Sequence, residues 1–441
     1  MGKITFLGAG STVFAKNVLG DSMLCPAMQD FEIALYDIDP QRLEDSARMV
    51  ELLNANTNQG RCKITRHLGV EQRKDALRGA NFVVNAIQVG GYEPATVADF
   101  EIPKKYGIRQ TIADTIGIGG IFRGLRTIPV MEGIARDMEE VCPDAWLLNY
   151  TNPMAILSGY MQRYTGVHTV GLCHSVQVCA PRLLEALGIE AKTPLQQKIA
   201  GINHMAWLLE LKDADGVDLL PEVKARAIAQ LEQMPHSECK DLVRYEYLRT
   251  LGYYCTESSE HNAEYNPWFI KPRYPELIDR YNIPLDEYPR RCIRHIEKWA
   301  QEREQYIAGN ITHTRSKEYA SHIMEAMLTD VPYRFGGNVI NRGLIPNLPG
   351  NACVEVPCTA SKAGIDAAVV GDLPEICASM NRTNINTQLL TIEAAVTKKK
   401  EAVYHAALLE PRVAQELSID DTIAMCNELL EAHKQFLPEY K

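Results

Sequence analysis

Nowhere in the 441 residues does an apolar run approach the roughly 18 residues that a membrane-spanning helix needs. The opening Met1-Gly-Lys-Ile-Thr-Phe is too short an apolar run for a secretory signal, and no targeting segment is visible. Basic residues are in deficit: 46 Lys and Arg stand against 56 Asp and Glu, a formal net charge of −10, with the two signs interspersed. That balance argues against a nucleic-acid partner, which would need a basic stripe, and against an anionic membrane surface. The 12 cysteines form no paired framework, so they are expected as reduced thiols, most of them in the core of a cytoplasmic chain. Repeats and low-complexity tracts are also lacking. What remains is an ordinary globular balance, 46% hydrophobic and 23% charged, long enough for two or three units of about 150 residues.

The first 210 residues alternate strand and helix patterns. Ile4–Leu7 is a short apolar strand ending at Gly8, with a helix expected from about Ser11. Phe31-Glu-Ile-Ala-Leu-Tyr is a second strand, ending at Asp37, and residues 40–56 carry helical spacing at Leu43, Ala47, Val50 and Leu53. Phe82-Val-Val-Asn-Ala-Ile, Trp146-Leu-Leu-Asn and Thr169-Val-Gly-Leu-Cys are three more strands. This order predicts an α/β fold, a Rossmann-type doubly wound parallel sheet over residues 1–210 with ligands at the carboxyl ends of its strands. Charged helical patterns at 221–250, 284–308 and 386–435, with short extended runs such as Ala352-Cys-Val-Glu-Val, predict a C-terminal α+β domain over 211–441 for substrate, catalysis and oligomerisation.

Gly8-Ala9-Gly10-Ser11 lies between a predicted strand and a predicted helix. Gly8 permits the tight turn, and Gly10 lets the backbone approach a pyrophosphate that the helix N-terminus then stabilises. The third glycine of the usual fingerprint is replaced by Val13. Asp37 closes the second strand, 27 residues after Gly10, where a carboxylate would accept hydrogen bonds from an adenosine ribose. A carboxylate there disfavours the extra phosphate of NADP, which makes NAD the expected cofactor.

Two further segments carry chemistry, Gly171-Leu-Cys-His-Ser-Val and Gly201-Ile-Asn-His-Met. The first follows a predicted strand at the face where a nicotinamide would lie. Cys173 and His204 together could hold a divalent metal in an open site that a substrate completes, and thiolate with imidazole favours zinc or a later transition metal by softness.

Taken in order, Gly-Ala-Gly-Ser at 8–11, Asn149-Tyr-Thr-Asn-Pro-Met, Gly-Leu-Cys-His-Ser at 171–175 and Gly-Ile-Asn-His at 201–204 resemble glycoside hydrolase family 4. Matching stretches at Gln110-Thr-Ile-Ala-Asp-Thr, Thr256-Glu-Ser-Ser-Glu-His, Glu264-Tyr-Asn-Pro-Trp-Phe and Asn347-Leu-Pro extend the resemblance over nearly the whole chain. Cys-His-Ser resembles the α-galactosidase (melibiase) branch, whereas the phosphoglycosidase branches carry Asp or Asn after that cysteine. The resemblance implies NAD and Mn²⁺ as cofactors. It also implies a reaction unlike that of two-carboxylate glycosidases: oxidation at C3 of the sugar, loss of the C2 proton, elimination of the aglycone, and addition of water. It further implies that Cys173 and His204 ligate the metal, that Asp114 supports the catalytic base, and that Asn149 and Asn152 contact sugar and nicotinamide. The proton-transfer residues depart from the family pattern: His174 stands where the acid Asp would be, and the base is expected at Glu260 or, second, Tyr254, with Glu257 and His261 close by.

The function expected is hydrolysis of terminal α-galactosides. Inside the family the alternatives are an α-galacturonidase or an α-glucosidase. Outside it they are an NAD-dependent hydroxy-acid dehydrogenase, which would need a His–Asp pair and an Arg rather than a Cys–His metal site, and a non-enzymatic NAD-binding regulator. A homo-oligomer, dimer or tetramer, is also expected.

Overall fold

In the computed structural model, which describes residues 2–233, 238–309, 311–316 and 318–441, one sheet runs through the molecule. Its strands are β1 (Lys3–Leu7), β2 (Glu32–Asp37), β3 (Lys63–Leu68), β4 (Phe82–Asn85), β5 (Trp146–Asn149), β6 (His168–Leu172), β7 (Gln196–Ile202), β8 (Met205–Lys212), β9 (Tyr254–Cys255), β10 (Tyr333–Ile340), β11 (Cys353–Ser361) and β12 (Gly364–Ala367). The principal helices are α1 (Thr12–Leu24), α2 (Pro40–Asn58), α3 (Gly117–Val141), α4 (Met154–Tyr164), α5 (His174–Ala186), α6 (Glu287–Ile307), α7 (Glu375–Thr397) and α8 (Ile419–Ala432).

The spatial order is β3-β2-β1-β4-β5-β6-β10-β11-β7-β8-β9, with β12 paired to β11. The first six strands are parallel, as the alternation predicts. Five of them, β1, β2, β4, β5 and β6, are covered on both sides and read as largely apolar runs, and period-2 alternation sends neighbours to opposite faces. Phe82, Val84 and Leu148 join a core with α1, α2 and α5. Val83 and Leu147 join a second core with α3, α4, α7 and α8. Helices from the end of the chain therefore cover the sheet begun by the first 85 residues.

The step past β6 is the part that sequence order conceals. β10 and β11, from the last third of the chain, insert antiparallel between β6 and β7: Gly337 pairs with Leu172, and Glu355 pairs with Gly201. A split near residue 210 therefore does not coincide with a break in the sheet. The charged pattern at 221–250 becomes two helices, Leu220–Gln233 and Leu242–Thr250, on either side of 234–237, which lie outside the described residues. All twelve cysteines are free, and all but Cys292 are buried.

Candidate active site

The turn after β1 is built for close approach. Gly8 has φ +81°, and a Cβ there would lie 2.7 Å from the Ala86 carbonyl oxygen, so glycine alone lets this turn rest against the end of β4. A Cβ on Gly10 would come within 2.9 Å of both Arg42 and the Asp37 carboxylate. The Gly10 N–H donates to Asp37 Oδ2 at 2.6 Å, and Asp37 Oδ1 accepts from the Asp39 N–H at 3.0 Å. The acidic residue at the end of β2 thus holds the glycine turn itself. Ser11 follows and opens α1.

A pocket of about 370 Å³ lies at the carboxyl ends of the parallel strands. It sits beside the point where the order reverses between β1 and β4, the place at which doubly wound sheets bind ligands. One wall is Ser11 and Phe14 from α1 with Ala86–Gln88 after β4. A second is Tyr150–Asn152 after β5 with Cys173, His174 and Ser175 after β6. The third is His204, Glu257 and His261.

His204 is presented by the hairpin that joins β7 to β8: Ile202 pairs with Met205, leaving Asn203 and His204 as a two-residue loop, with His204 at φ +64°. Cys173 directly follows β6 and stands at the N-cap of α5. Glu257, at φ +65°, follows β9. Ligand atoms of Cys173, His204 and Glu257 all lie within 4.8 Å of one another. Tyr265 Oη meets His204 Nδ1 at 3.0 Å, leaving Nε2 towards Glu257 Oε2 at 3.5 Å. Such an outer hydrogen bond is what fixes a metal-binding imidazole. Burial pushes the Cys173 thiol well above its ordinary value, and Glu355 and Glu257 add to this. Burial also raises Glu257, but His261, His204 and Arg244 overcome it and hold that carboxyl down at about 2. The donor set suits a divalent cation: one carboxylate, one imidazole and one thiol that a cation would ionise. Adding an oxygen ligand to sulfur and nitrogen also moves the preference towards harder ions such as Mn²⁺.

Of the residues expected from sequence, Ser11, Asn152, Cys173, His174 and His204 line the pocket. The Asn152 Nδ2 donates to Asp114 Oδ2 at 3.3 Å, while its Oδ1 is buried without a partner among the described residues. Asp114 is buried behind it and also accepts from the Thr115 hydroxyl. Burial raises its carboxyl, but Arg123, His261 and His204 outweigh this and lower it. His174 Nε2 meets Glu318 at 2.7 Å, and its ring packs among Phe14, Tyr150 and Tyr319.

Three expected residues are placed elsewhere. The Glu260 carboxylate forms an ion pair with Arg291 on α6 and does not line the pocket. Tyr254 is buried, its hydroxyl donating to Asp241 at 2.5 Å and Arg244 stacking on its ring. Asn149 is wholly buried among Asn85, Thr151 and Ser158, so it braces the loop after β5 from behind. Two residues that line the pocket carried little weight in sequence: Glu257, one of several acidic candidates, and Arg123, in the middle of α3. Arg123 donates to the Asn152 carbonyl and the Tyr288 hydroxyl, and only its neighbours in space give it meaning.

The sequence profile of family 4 glycosyl hydrolases matches residues 3–189, and that of their C-terminal domain matches residues 199–413. An α-galactosidase of Bacillus subtilis is 60% identical over the full length of both chains. An α-galactosidase of Rhizobium meliloti is 33% identical over 99% of this chain and 89% of its own. The fold is shared with a 6-phospho-β-glucosidase from Thermotoga maritima crystallised with manganese, NAD⁺ and glucose-6-phosphate, at TM-score 0.78 and 20% identity over 99% and 100% of the two chains.

Proposed function

Because this chain belongs to family 4 of the glycosyl hydrolases, we propose that it is an α-galactosidase that hydrolyses terminal, melibiose-type α-galactosides with NAD and Mn²⁺ as cofactors. The observation that carries the mechanism is the Cys173–His204–Glu257 cluster beside a glycine turn at the sheet's switch point. When bound, NAD⁺ supplies a hydride acceptor for C3 of the sugar, and the divalent ion a Lewis acid for the oxygens on C2 and C3.

The protein's own groups do the rest. Gly8, Gly10 and Ser11 form the dinucleotide turn, and Asp37 keeps it in shape. Asn152 offers a buried, unpartnered carbonyl to a sugar hydroxyl. Two histidines remain for proton transfer. The His261 side chain is 7% exposed, and Ser258 Oγ meets its Nδ1 at 2.8 Å, so Nε2 is the nitrogen available to take the proton from C2. The His174 side chain is 48% exposed on the open side, where the aglycone departs, and suits the proton returned to the leaving oxygen. Asp114 and Arg123 form the charged backing of this wall. Each pocket-lining histidine meets a carboxylate, and Arg123 is coupled to Asp114, which favours a neutral galactoside over a phosphorylated or uronic sugar. The proposal includes a cytoplasmic location, supported by the free thiols, and assembly as a homo-oligomer.

Hydrolysis of p-nitrophenyl α-galactoside in D₂O tests the proposal. The galactose product is expected to carry deuterium at C2, a bond that ordinary retaining or inverting glycosidases never break. Galactose without C2 deuterium rules the elimination route out. In the same assay His261→Gln should suppress exchange and Glu260→Gln should keep it; the opposite result returns the base to Glu260.

A further inference from the structure

Glu264 closes the short helix Ser259–Glu264, which also carries His261. It is 2% exposed and does not line the pocket. Its carboxylate nonetheless collects three successive backbone N–H groups from a distant part of the chain. Thr111 donates to Oε2 at 2.7 Å, Ala113 to Oε1 at 2.8 Å, and the Ile112 nitrogen lies 3.3 Å from both oxygens. Such a run of N–H groups makes an anion-binding concavity, and here the anion is a side chain of the same molecule. Burial raises the Glu264 carboxyl, and the Ala113 and Thr111 N–H groups, His261 and Arg412 oppose this.

Residues 108–116, which Glu264 grips, form no helix or strand of their own. Within them Ala113 stands at φ +53°, a left-handed conformation that is costly for alanine and has to be held by its surroundings. Helix α3 fits closely over it: a Cβ on Gly119 would lie 2.7 Å from the Ala113 carbonyl oxygen. Asp114 is the next residue, and its carboxylate accepts from Asn152 of the pocket wall. A second tie joins the same two segments, from the Thr111 hydroxyl to the Glu260 carbonyl oxygen at 2.7 Å.

We propose that Glu264 is a positioning residue for hydrolysis: reaching from the helix that carries His261 to the N–H groups beside Asp114, it fixes the Asp114 carboxylate relative to the His261 imidazole. This role rests on those assigned above to Asp114 and His261. The pocket wall is assembled from two segments far apart in sequence, and one buried carboxylate joins them.

A double-mutant cycle tests the proposal. Glu264→Gln keeps the shape of the side chain but turns an amide N–H against one of the backbone N–H groups. It should lower kcat for p-nitrophenyl α-galactoside about 10–30-fold by misplacing Asp114, with Mn²⁺ and NAD⁺ affinities within about twofold of wild type. In an Asp114→Asn background the same substitution should cost less than about threefold, because the group it positions is already gone. Thr111→Val removes the second tie without touching a charge, and should lower kcat about two- to fivefold with the same dependence on Asp114. A merely structural role would take the same factor from both backgrounds, so equal losses overturn the proposal. So does a Glu264→Gln enzyme with wild-type kcat. Should that variant fail to fold, equal losses from Thr111→Val in the two backgrounds overturn it instead. The proposal and the reading beneath it fail separately. C2 exchange that persists in His261→Gln moves the base elsewhere, while a coupled cycle still ties Glu264 to Asp114. Exchange lost in His261→Gln together with an additive cycle removes Glu264 alone.

Discussion

A thiol buried as deeply as Cys173 stays protonated until a cation compensates the charge of its thiolate, so this residue and the metal depend on each other. Cys173→Ser and His204→Ala are each expected to lower kcat/KM by about a thousandfold, with the fold intact by circular dichroism. Retention of more than roughly a tenth of the activity, a loss below about 1.4 kcal/mol, would remove these residues from the metal site. Glu257→Gln should weaken Mn²⁺ binding at least about tenfold, read from free Mn²⁺ by electron paramagnetic resonance. Cys173 and His204 were legible because each sits in a short motif at the end of a strand or hairpin. Glu257 was less so: it is 53 residues beyond His204, and nothing in the spacing separates it from Glu260, whose carboxylate turns to Arg291. A second buried acid gives a pH signature. Burial raises Glu355 to about 8, while Asn338 donates to its Oε1 at 2.9 Å. An acid whose folded pKa is raised binds more protons folded than unfolded. Its effect is therefore harmless below the ordinary carboxylate range, and stability falls as pH rises from there to about 8, with a slope of at most about 1.4 kcal/mol per unit. Glu355→Gln should accordingly gain melting temperature relative to wild type between pH 5 and pH 8, and a constant difference would show that this carboxyl titrates normally.

The β1–α1 turn shows how an element limits its residues. Gly8→Ala must place a side chain at φ +81° with its Cβ 2.7 Å from the Ala86 carbonyl. Strain and overlap should together cost about 2–4 kcal/mol in denaturant unfolding and weaken NAD⁺ binding, measured by calorimetry. Tolerance of alanine at both readouts would show that the turn is looser than the structure has it. Strands buried on both faces announced themselves as apolar runs, which is why β1, β2, β4, β5 and β6 could be read directly. β3, Lys-Ile-Thr-Arg-His-Leu, could not: it is an edge strand with alternating polar residues and no continuous run. β10 was hidden differently. Its partner β6 lies more than 160 residues earlier in the chain, and no local pattern encodes a pairing across that distance.

At the scale of the whole molecule, dinucleotide turn, metal cluster and histidine walls come from segments spread between residues 8 and 261, all held by one sheet. Hydrolysis should therefore need everything at once: chelation with complete removal of NAD⁺ should reduce turnover to background, and Mn²⁺ together with NAD⁺ should restore it. Full activity after both are removed would sink the mechanism. The insertion of β10 and β11 between β6 and β7 has a further consequence, during synthesis. The ribosome releases β6 with its outer edge bare, and β10, the strand that covers it, is not made until residues 333–340 emerge. For that interval the nascent chain carries an open strand edge beside an apolar sheet, the kind of surface that recruits chaperones or captures a neighbouring nascent chain. Cysteine-pulse labelling of stalled ribosome complexes should find Cys173 reactive up to that length and protected beyond it.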